Sequence, residues 1–307
     1  MGTPDFAIPV LKSLQGVTEE VVGVYTAPDR PRGRNRHVAV PPVKEYAMGQ
    51  GLTVVQPSTL RREAAVEEFR RLAPDLVVVA AYGRIIPPDM LEVPLHGFIN
   101  VHPSLLPKYR GASPVITALL DGVTETGVTL IRLGEGLDDG PILAQMTALV
   151  RPQETCGELT LRLFDLGAQL LTETIPLWTG GRLKAVPQDE AAATFTRKIA
   201  KEDGEARWDL SARVLERQAR AYTPWPGLYS RWNGRVVKLL EVEAVDMPLQ
   251  GAPGTVISLN DRQLRLAVAT GDGVLAVHTL QAEGRIAMSA DDFLRGQDSL
   301  LGAVLPS

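Results

Sequence analysis

The chain has 307 residues, 45% hydrophobic and 22% charged, which is an ordinary globular composition and a length suited to two domains. Its 32 basic and 36 acidic residues give a formal net charge of −4, which excludes a polycationic nucleic-acid-binding protein, and its single cysteine, Cys156, excludes an intrachain disulfide framework and a multi-cysteine zinc site. No run approaches the roughly 18 apolar residues of a membrane span and no targeting signal is visible, so we expect a cytoplasmic protein without a membrane partner.

The first part of the chain alternates between strand and helix patterns. Helical patterns span Leu60–Leu72 and Cys156–Trp178, and the second ends before Gly180. Short, nearly continuous apolar runs predict strands covered on both faces of a parallel sheet. These runs are Glu20–Thr26, Asp75–Ala81, Gly97–His102 and Gly127–Leu133. The alternation predicts a doubly wound α/β domain over residues 1–180.

A polar linker is predicted at 181–203, followed by a β-rich domain at 204–307. Ser211 is expected to cap a helix that reaches Tyr222. Short strands with frequent turns then predict a small β-barrel or sandwich. These strands are Leu228–Trp232, Val236–Val245, Gly254–Leu259, Gln263–Thr270 and Gly273–Leu280. Residues 197–238 carry 10 basic and 5 acidic residues, which indicates either a phosphate-facing stripe or a solvated helix face.

The stretch Phe98–Pro114 contains the residues best suited to catalysis. Asn100 and His102 are two positions apart on a predicted strand, so their side chains share one face. Pro103 ends that strand, and ligands of open α/β sheets bind outside the carboxyl ends of strands. An amide and an imidazole there can donate to a developing oxyanion, although a lone histidine is more often a surface or packed residue.

Two further loops follow predicted strands. The loop Gly134–Pro141 carries Asp138, which at this edge can orient an imidazole or relay a proton; the alternative is ordinary turn chemistry, in which Asp and Gly dominate. A second loop has four arginines that can reach phosphates, the alternative being an exposed loop without a partner. They are Arg30, Arg32, Arg34 and Arg36. The fingerprints of nicotinamide binding, of a P-loop and of a serine hydrolase are absent, and the four histidines do not have metal-ligand spacing, so no metal is expected.

Together these segments resemble the methionyl-tRNA formyltransferase family over nearly the whole chain. The matching segments are GTPDFA (2–7), APDRPRGR (27–34), PPVK (41–44), VVVAAYGRIIP (77–87), INVHPSLLPKYRGASP (99–114), ETGVTLIRLGEGLDDG (125–140), TPWPG (223–227), APGTV (252–256) and ATGDGVL (269–275). The resemblance implies a Rossmann-like formyltransferase domain, a linker and a C-terminal OB-like β-barrel domain that binds tRNA.

The same resemblance implies formyl transfer from 10-formyltetrahydrofolate to the amino group of methionyl initiator tRNA. It implies catalytic roles for Asn100, His102 and Asp138, and an acceptor-stem contact for Arg34. We expect Asn100 and a donor-state His102 to stabilise the tetrahedral oxyanion, and Asp138 to hold His102 and pass a proton. Implied folate-binding residues are Tyr82, Gly83, Arg84, Ile85, Ile86, Ser104, Leu105, Leu106 and Pro107. We expect a monomer.

The chain departs from the family pattern at two places. Relatives begin with a short hydrophobic strand before the GTP-x-F segment, whereas here Met1 directly precedes Gly2. Because the first strand of a doubly wound sheet is normally central, we expect exposed strand edges and apolar faces beside the gap. Asp139 stands where relatives carry a small neutral residue, so two adjacent carboxylates compete for the role given to Asp138.

Three other functions compete with this interpretation. A sugar-nucleotide N-formyltransferase would share the Asn, His and Asp residues, but the arginine loop and the near full-length match favour tRNA. A glycinamide ribonucleotide formyltransferase is disfavoured because residues 204–307 follow the catalytic domain. An RNA-binding protein without catalysis is opposed by the intact Asn100, His102 and Asp138.

Overall fold

The computed structural model describes residues 1–18, 20–32, 37–248, 251–259 and 266–306. Its contacts divide the chain into two compact units. The first comprises Met1–Pro114, Thr124–Val150 and Thr160–Thr196; the second comprises Val115–Val123, Arg151–Leu159 and Arg197–Ser307. Among the described residues, each helix is too short or too polar to cross a membrane.

The first unit is built on a central sheet with helices. Its strands are β1 (Val24–Tyr25), β2 (Arg30–Arg32), β3 (His37–Ala39), β4 (Val54–Val55), β5 (Val77–Val79), β6 (Phe98–His102), β7 (Arg110–Gly111), β8 (Glu125–Arg132), β9 (Ile142–Leu149) and β10 (Phe195–Thr196). Its helices are α1 (Ile8–Val17), α2 (Pro42–Gly49), α3 (Glu63–Arg71) and α4 (Pro88–Leu91), while α5 (Pro114–Asp121) and α6 (Cys156–Thr179) have residues in both units.

The main sheet has the order β5-β6-β8-β9, and only β5 and β6 are parallel to each other. The sequence predicts a parallel sheet, but β8 runs antiparallel to β6. A continuous apolar run reports that both faces of a strand are covered, and this holds for β8, where the six residues between its ends are buried. Strand direction is set by the connections, which the hydrophobic pattern does not report.

Gly2 lies between β1 and the main sheet. Its N–H donates to the Tyr25 carbonyl at 2.9 Å, and it forms an isolated bridge with Ala80, whose N–H donates to the Met1 carbonyl at 2.9 Å. A cavity of about 540 Å³ lies beside it, lined by apolar residues that include Leu11, Leu14, Val21, Val24 and Val78. Strand β1 covers only Val24–Tyr25 of the predicted Glu20–Thr26.

Helix α6 covers one face of the main sheet and fixes β6. Leu171 and Phe164 of this helix pack in the same buried cluster as Val101 and Val128. A Cβ at Gly167 would lie 2.5 Å from Cγ1 of Val101, so glycine permits the close approach of helix and strand here. The packing holds Val101 inside, and strand alternation then turns Asn100 and His102 to the other face.

The second unit contains an antiparallel sheet and two helices of its own. Its strands are β11 (Leu228–Trp232), β12 (Arg235–Val245), β13 (Val256–Ser258), β14 (Leu266–Ala269), β15 (Val274–Ala282) and β16 (Met288–Ser289), and its helices are α7 (Ala212–Ala221) and α8 (Ala290–Arg295). The order is β11-β12-β15-β14-β13, with β16 on β15. Register shifts between Leu239 and Val242 interrupt the β12–β15 ladder, as expected of a curled sheet. Ser211 accepts from the Val214 N–H and caps α7 as predicted.

The two units match the predicted fold class. A Rossmann-like α/β unit and an OB-like β unit are both present. The predicted strand Gln263–Thr270 is described from Leu266 onward, and its first residues lie outside the described part. The elements that were not predicted are the helices α1, α2, α4, α5 and α8 and the strands β2, β3, β4, β7, β9, β10 and β16.

Candidate active site

The carboxyl ends of β5 and β6 create the edge where the predicted catalytic residues meet. The two strands are parallel, with Val79 opposite Asn100. Asn100 is half-buried and His102 is 3% exposed. Parallel neighbours end at the same edge of a sheet, so the loop after β5 and the residues of β6 face a common space.

One carboxylate joins the predicted catalytic residues. Asn100 Nδ2 donates to Asp138 Oδ1 at 3.3 Å, and the backbone N–H of Gly111 donates to Asp138 Oδ2 at 3.0 Å. The distance from His102 Nδ1 to Asp138 Oδ2 is 3.6 Å, beyond a normal hydrogen bond. The structure therefore brings Asn100, His102 and Asp138 together, with Gly111 as a further partner of the carboxylate.

The hydrogen bonds of His102 define its tautomer. Its Nε2 lies 3.0 Å from the Tyr109 carbonyl oxygen, which can only accept, so Nε2 carries a proton. In the neutral ring the lone pair of Nδ1 then faces the Asp138 carboxylate. These two acceptors lie 3.6 Å apart, and a proton on Nδ1 would let them approach to form a hydrogen bond.

Burial controls the charge of His102. Desolvation lowers the pKa of His102 below the ordinary histidine value, while Asp138 and the Tyr109 carbonyl act in the opposite direction. Burial is the largest of these three effects, so the pKa lies below the ordinary histidine value and the resting imidazole is neutral at physiological pH. A neutral ring with an accessible lone pair is suited to accept a proton.

The loop conformation distinguishes the two adjacent aspartates. Asp138 has φ 51°, a left-handed conformation that turns its carboxylate toward β6. The Asp139 side chain instead lies against the turn at Gly136, where a Cβ would overlap its carboxylate. A Cβ at Gly140 would overlap the Arg132 carbonyl, so the loop requires glycine there too. Asp138 is therefore the carboxylate that faces the site.

The segment Ser104–Pro107 is organised by Thr129. Thr129 Oγ1 donates to the Ser104 carbonyl at 2.6 Å and accepts from the Leu106 N–H at 3.1 Å. The Ser104 hydroxyl donates to the Lys108 carbonyl at 2.8 Å. Ser104 and Leu106 are buried, so only Leu105 and Pro107 of this segment present partly exposed side chains to a ligand.

The loop after β5 presents its backbone rather than its largest side chain. Tyr82 is buried in the cluster of Tyr25 and Phe69. Arg84 Nη1 donates to the carbonyls of Pro57 and Ser58, each at 2.8 Å, which ties the loop to the preceding strand region. The remaining predicted residues of this loop are Gly83, at φ +72°, Ile85, which is 74% exposed, and Ile86, which is half-buried.

The predicted tRNA-binding loop is described only in part. Arg30 is exposed at the start of the β2–β3 hairpin, and the backbone of Arg32 pairs with His37. Arg34 and Arg36 lie outside the described residues.

Three of the ten basic residues in the segment 197–238 form ion pairs with acidic residues of the same segment. The pairs, each with a shortest distance of 2.6 to 3.2 Å, are Arg197–Asp203, Arg207–Asp209 and Arg231–Glu205. On α7, Arg213 is exposed, whereas Arg217 and Arg220 are half-buried. These acidic partners belong to the segment itself, so its excess of basic over acidic residues is unchanged and lies on the residues outside these pairs.

Sequence reasoning missed the support that residues near the end of the first unit give to this site. β10 pairs with β7, and Thr194 Oγ1 accepts from the Tyr109 N–H at 2.8 Å. Gln188 Nε2 donates to the Asp138 carbonyl at 2.8 Å. These residues lie in the predicted polar linker, and no local pattern distinguishes them from solvent-exposed linker residues.

Comparison with known proteins identifies the family. The Formyl transferase family matches residues 1–175, and the family described as Formyl transferase, C-terminal domain matches 198–298. Methionyl-tRNA formyltransferase of Chloroflexus aggregans is 44% identical over 296 residues, covering 96% of each chain. That of Halalkalibacterium halodurans is 44% identical over 308 residues, covering 99% of this chain and 96% of the relative.

Solved structures show the same fold at lower identity. WlaRD, a sugar 3N-formyl transferase solved in the presence of dTDP and 5-N-formyl-THF, aligns with a TM-score of 0.65 at 16% identity and covers 93% of this chain and 97% of its own. HypX from Aquifex aeolicus, in complex with tetrahydrofolic acid, aligns with a TM-score of 0.59 at 21% identity. The alignment covers 84% of this chain and 44% of the HypX chain. With the near full-length relatives at 44% identity, these findings show that the chain belongs to the methionyl-tRNA formyltransferase family.

Proposed function

We propose that this chain transfers the formyl group of 10-formyltetrahydrofolate to the amino group of methionyl initiator tRNA, giving N-formylmethionyl-tRNA. The observation that carries the proposal is the Asp138 carboxylate, which lies within 3.3 Å of Asn100 Nδ2 and 3.6 Å of His102 Nδ1 at the carboxyl edge of β6. An amide donor, a neutral imidazole and a carboxylate are the groups that acyl transfer to an amine requires.

The loop after β5 fits a tetrahydrofolate head group. Across the described residues, no hydrogen bond uses the amide N–H of Gly83, Arg84 or Ile85. Backbone donors without partners at a strand edge, beside an exposed apolar side chain, suit a flat heterocycle with a polar rim. We assign Tyr82–Ile86 and Ser104–Pro107 as the folate-binding segments, with Leu105, Pro107 and Ile85 giving the apolar contacts.

Asn100 supplies the donor for the oxyanion. One hydrogen of its side-chain amide goes to Asp138, and within the described part of the chain the other has no partner. The second hydrogen can therefore point to the formyl oxygen, where negative charge develops as the amine attacks. His102 is placed differently from the sequence-based expectation, because its Nε2–H is already donated to the Tyr109 carbonyl.

Asp138 and His102 together hold the proton that the amine loses. A carboxylate and a neutral Nδ1 face each other, so one added proton converts two repelling acceptors into a hydrogen bond. The attacking nitrogen releases its proton to this pair, and the pair returns it to the departing folate nitrogen. The folate supplies the formyl carbon, and the protein supplies position, an oxyanion donor and a place for one proton.

Recognition of tRNA rests on charge at the surface. We propose that Arg30, Arg32, Arg34 and Arg36 contact phosphates of the acceptor stem, and that the β-rich domain at 204–307 adds contacts after the linker 181–203. Exposed Lys198, Lys201, Arg235 and Lys238 support the second part of this proposal. We propose that the catalytic residues lie within the domain 1–180, supported by residues of the following segment such as Gln188 and Thr194. We further propose that the protein is cytoplasmic and monomeric. Size-exclusion chromatography with light scattering tests the monomeric state.

The decisive experiment is a formylation assay with three acceptors and 10-formyltetrahydrofolate as donor. We expect product with methionyl initiator tRNA, much less with methionyl elongator tRNA, and none with an amino-sugar nucleotide. Asp138→Asn should abolish most of the activity, while Asp139→Asn serves as the matched control. Preferred formylation of the amino sugar would replace the proposal by a sugar-nucleotide N-formyltransferase.

A further inference from the structure

We propose that Gln188 is a positioning residue for catalysis: clamped by Arg110 and Glu190, it holds the backbone of the Asp138 loop so that the Asp138 carboxylate faces Asn100 and His102. The role rests on the proposed function, because it concerns the same reaction. It extends the site into a segment that the sequence indicates only as a linker.

Gln188 holds the loop at two backbone positions. Its Nε2 donates to the carbonyl oxygens of Asp138 and Gly140, each at 2.8 Å. Its Oε1 accepts from Arg110 Nε at 3.0 Å and Nη2 at 2.9 Å. A guanidinium only donates and a carbonyl only accepts, so the amide has one possible orientation.

Arg110 is in turn fixed by its own partners. Its side chain is 2% exposed, and its Nη1 and Nη2 donate to the two carboxylate oxygens of Glu190 at 2.9 and 2.7 Å. The guanidinium lies 5.9 Å from the ring centroid of Phe195. Three donors and an aromatic face leave this buried cation with one position, and the position of the Gln188 amide follows from it.

The residues on either side of Arg110 position both the His102 ring and the Asp138 carboxylate. Arg110 lies on β7 between Tyr109, whose carbonyl accepts from His102, and Gly111, whose N–H donates to the Asp138 carboxylate. Residues 109–111 therefore fix the imidazole and the carboxylate from one side. The Arg110 side chain, through Gln188, fixes the backbone of Asp138 from the other.

The loop needs this support because of its conformation. Asp138 adopts φ 51°, which a residue with a side chain rarely prefers. Without Gln188, the carbonyls of Asp138 and Gly140 lose their donor and the loop can relax to φ below zero. That change would rotate the carboxylate away from β6 without altering the acceptor-binding surfaces.

The test uses Gln188→Ala and Gln188→Glu in the full chain. The glutamate variant keeps an acceptor for Arg110 but removes the donor to the loop, so both variants should lower kcat by about 10²-fold, as expected for a misplaced catalytic group. The KM for methionyl initiator tRNA should change by less than about threefold. Gln169→Glu, at an exposed glutamine of α6, is the matched control and should keep the wild-type kcat.

A second measurement separates this role from the proposed function. Hydrogen exchange of the amides in Gly134–Gly140 should accelerate in both Gln188 variants. Exchange in β12 and β15 should stay at the wild-type rate. This measurement does not depend on turnover. Wild-type kcat in Gln188→Glu, or unchanged loop exchange in both variants, would overturn the positioning role. An inactive wild-type enzyme with accelerated loop exchange in the variants would instead overturn the proposed function and leave the clamp supported.

Discussion

His102 combines two opposing influences on one ring. Its burial lowers its pKa, and the nearby Asp138 carboxylate raises it. We therefore predict that Asp138→Asn lowers the pKa of His102 further below its ordinary value, because the burial effect then acts without its main opponent. Titration of the imidazole resonances by NMR measures this directly.

The control for this titration is Asp139→Asn. Its carboxylate lies against the turn at Gly136, so the pKa of His102 should stay at its wild-type value. An increase in the pKa of His102 on Asp138→Asn would contradict the assigned geometry.

The lowered pKa of His102 also makes stability depend on pH. The unfolded chain binds a proton at the ordinary histidine pKa of about 6.5, whereas the folded chain binds it only at lower pH. The free energy of unfolding should therefore fall as the pH decreases through this window. Urea unfolding at several pH values measures the free energy of unfolding of wild type and of His102→Gln. The stability advantage of wild type over the variant should shrink in acid. An advantage that grows in acid would exclude His102 as the origin of the pH dependence.

Sequence reasoning predicted Asn100, His102 and Asp138 as site residues, and the structure brings them together. The family resemblance gave the role to Asp138, whereas residue type alone did not distinguish it from Asp139, because the difference depends on the left-handed conformation of one residue. It also gave His102 the role of an oxyanion donor, because the carbonyl that accepts its Nε2–H belongs to a turn whose path the sequence does not show.

The strand pair β7–β10 is the element that supports the site. Gly111 has φ +111°, and a Cβ there would lie 2.8 Å from the Thr196 carbonyl oxygen. We predict that Gly111→Ala lowers stability by about 1–3 kcal/mol and displaces the N–H that binds Asp138, so kcat falls as well. Thermal unfolding and steady-state kinetics measure the two effects.

Gly234→Ala provides the matched comparison for Gly111→Ala. Gly234 has φ +72° in a hairpin turn, with nothing within 4 Å of its Cβ position. Its replacement should cost stability through backbone strain alone and leave kcat unchanged. If both variants lost kcat equally, the site would not depend on β7–β10.

Elements with a strong local pattern were predictable. Helix α6 spans Cys156–Thr179 where the sequence predicts Cys156–Trp178, and α7 begins after the predicted cap, Ser211. By contrast, β7 and β10 have two residues each, and their pairing joins positions more than 80 residues apart. Short strands of this kind have no periodicity, so only the folded chain reveals them.

At the scale of the whole molecule, the cavity beside Gly2 leaves unfilled space next to apolar side chains of the first unit. Val78 lines it, and the added methylene of Val78→Ile can enter the space. We predict that this change raises the free energy of unfolding by about 0.5–2 kcal/mol, which thermal or urea unfolding measures.

Val101→Ile is the matched control for the cavity prediction. Val101 lies in the same buried cluster but packs tightly against Gly167, so the extra methylene should destabilise by about 1–3 kcal/mol. Equal effects of the two substitutions would show that the cavity does not limit stability. The volume and lining of the cavity required the folded structure.

The contacts of Gln188, Glu190 and Thr194 have a practical consequence for shortened versions of this protein. A fragment that stops at Gly180 would retain Asn100, His102 and Asp138 but would strip the buried Arg110 guanidinium of its hydrogen-bond acceptors on Gln188 and Glu190. Such a fragment should express poorly or lack turnover. A minimal piece for ligand screening has to extend through Thr196.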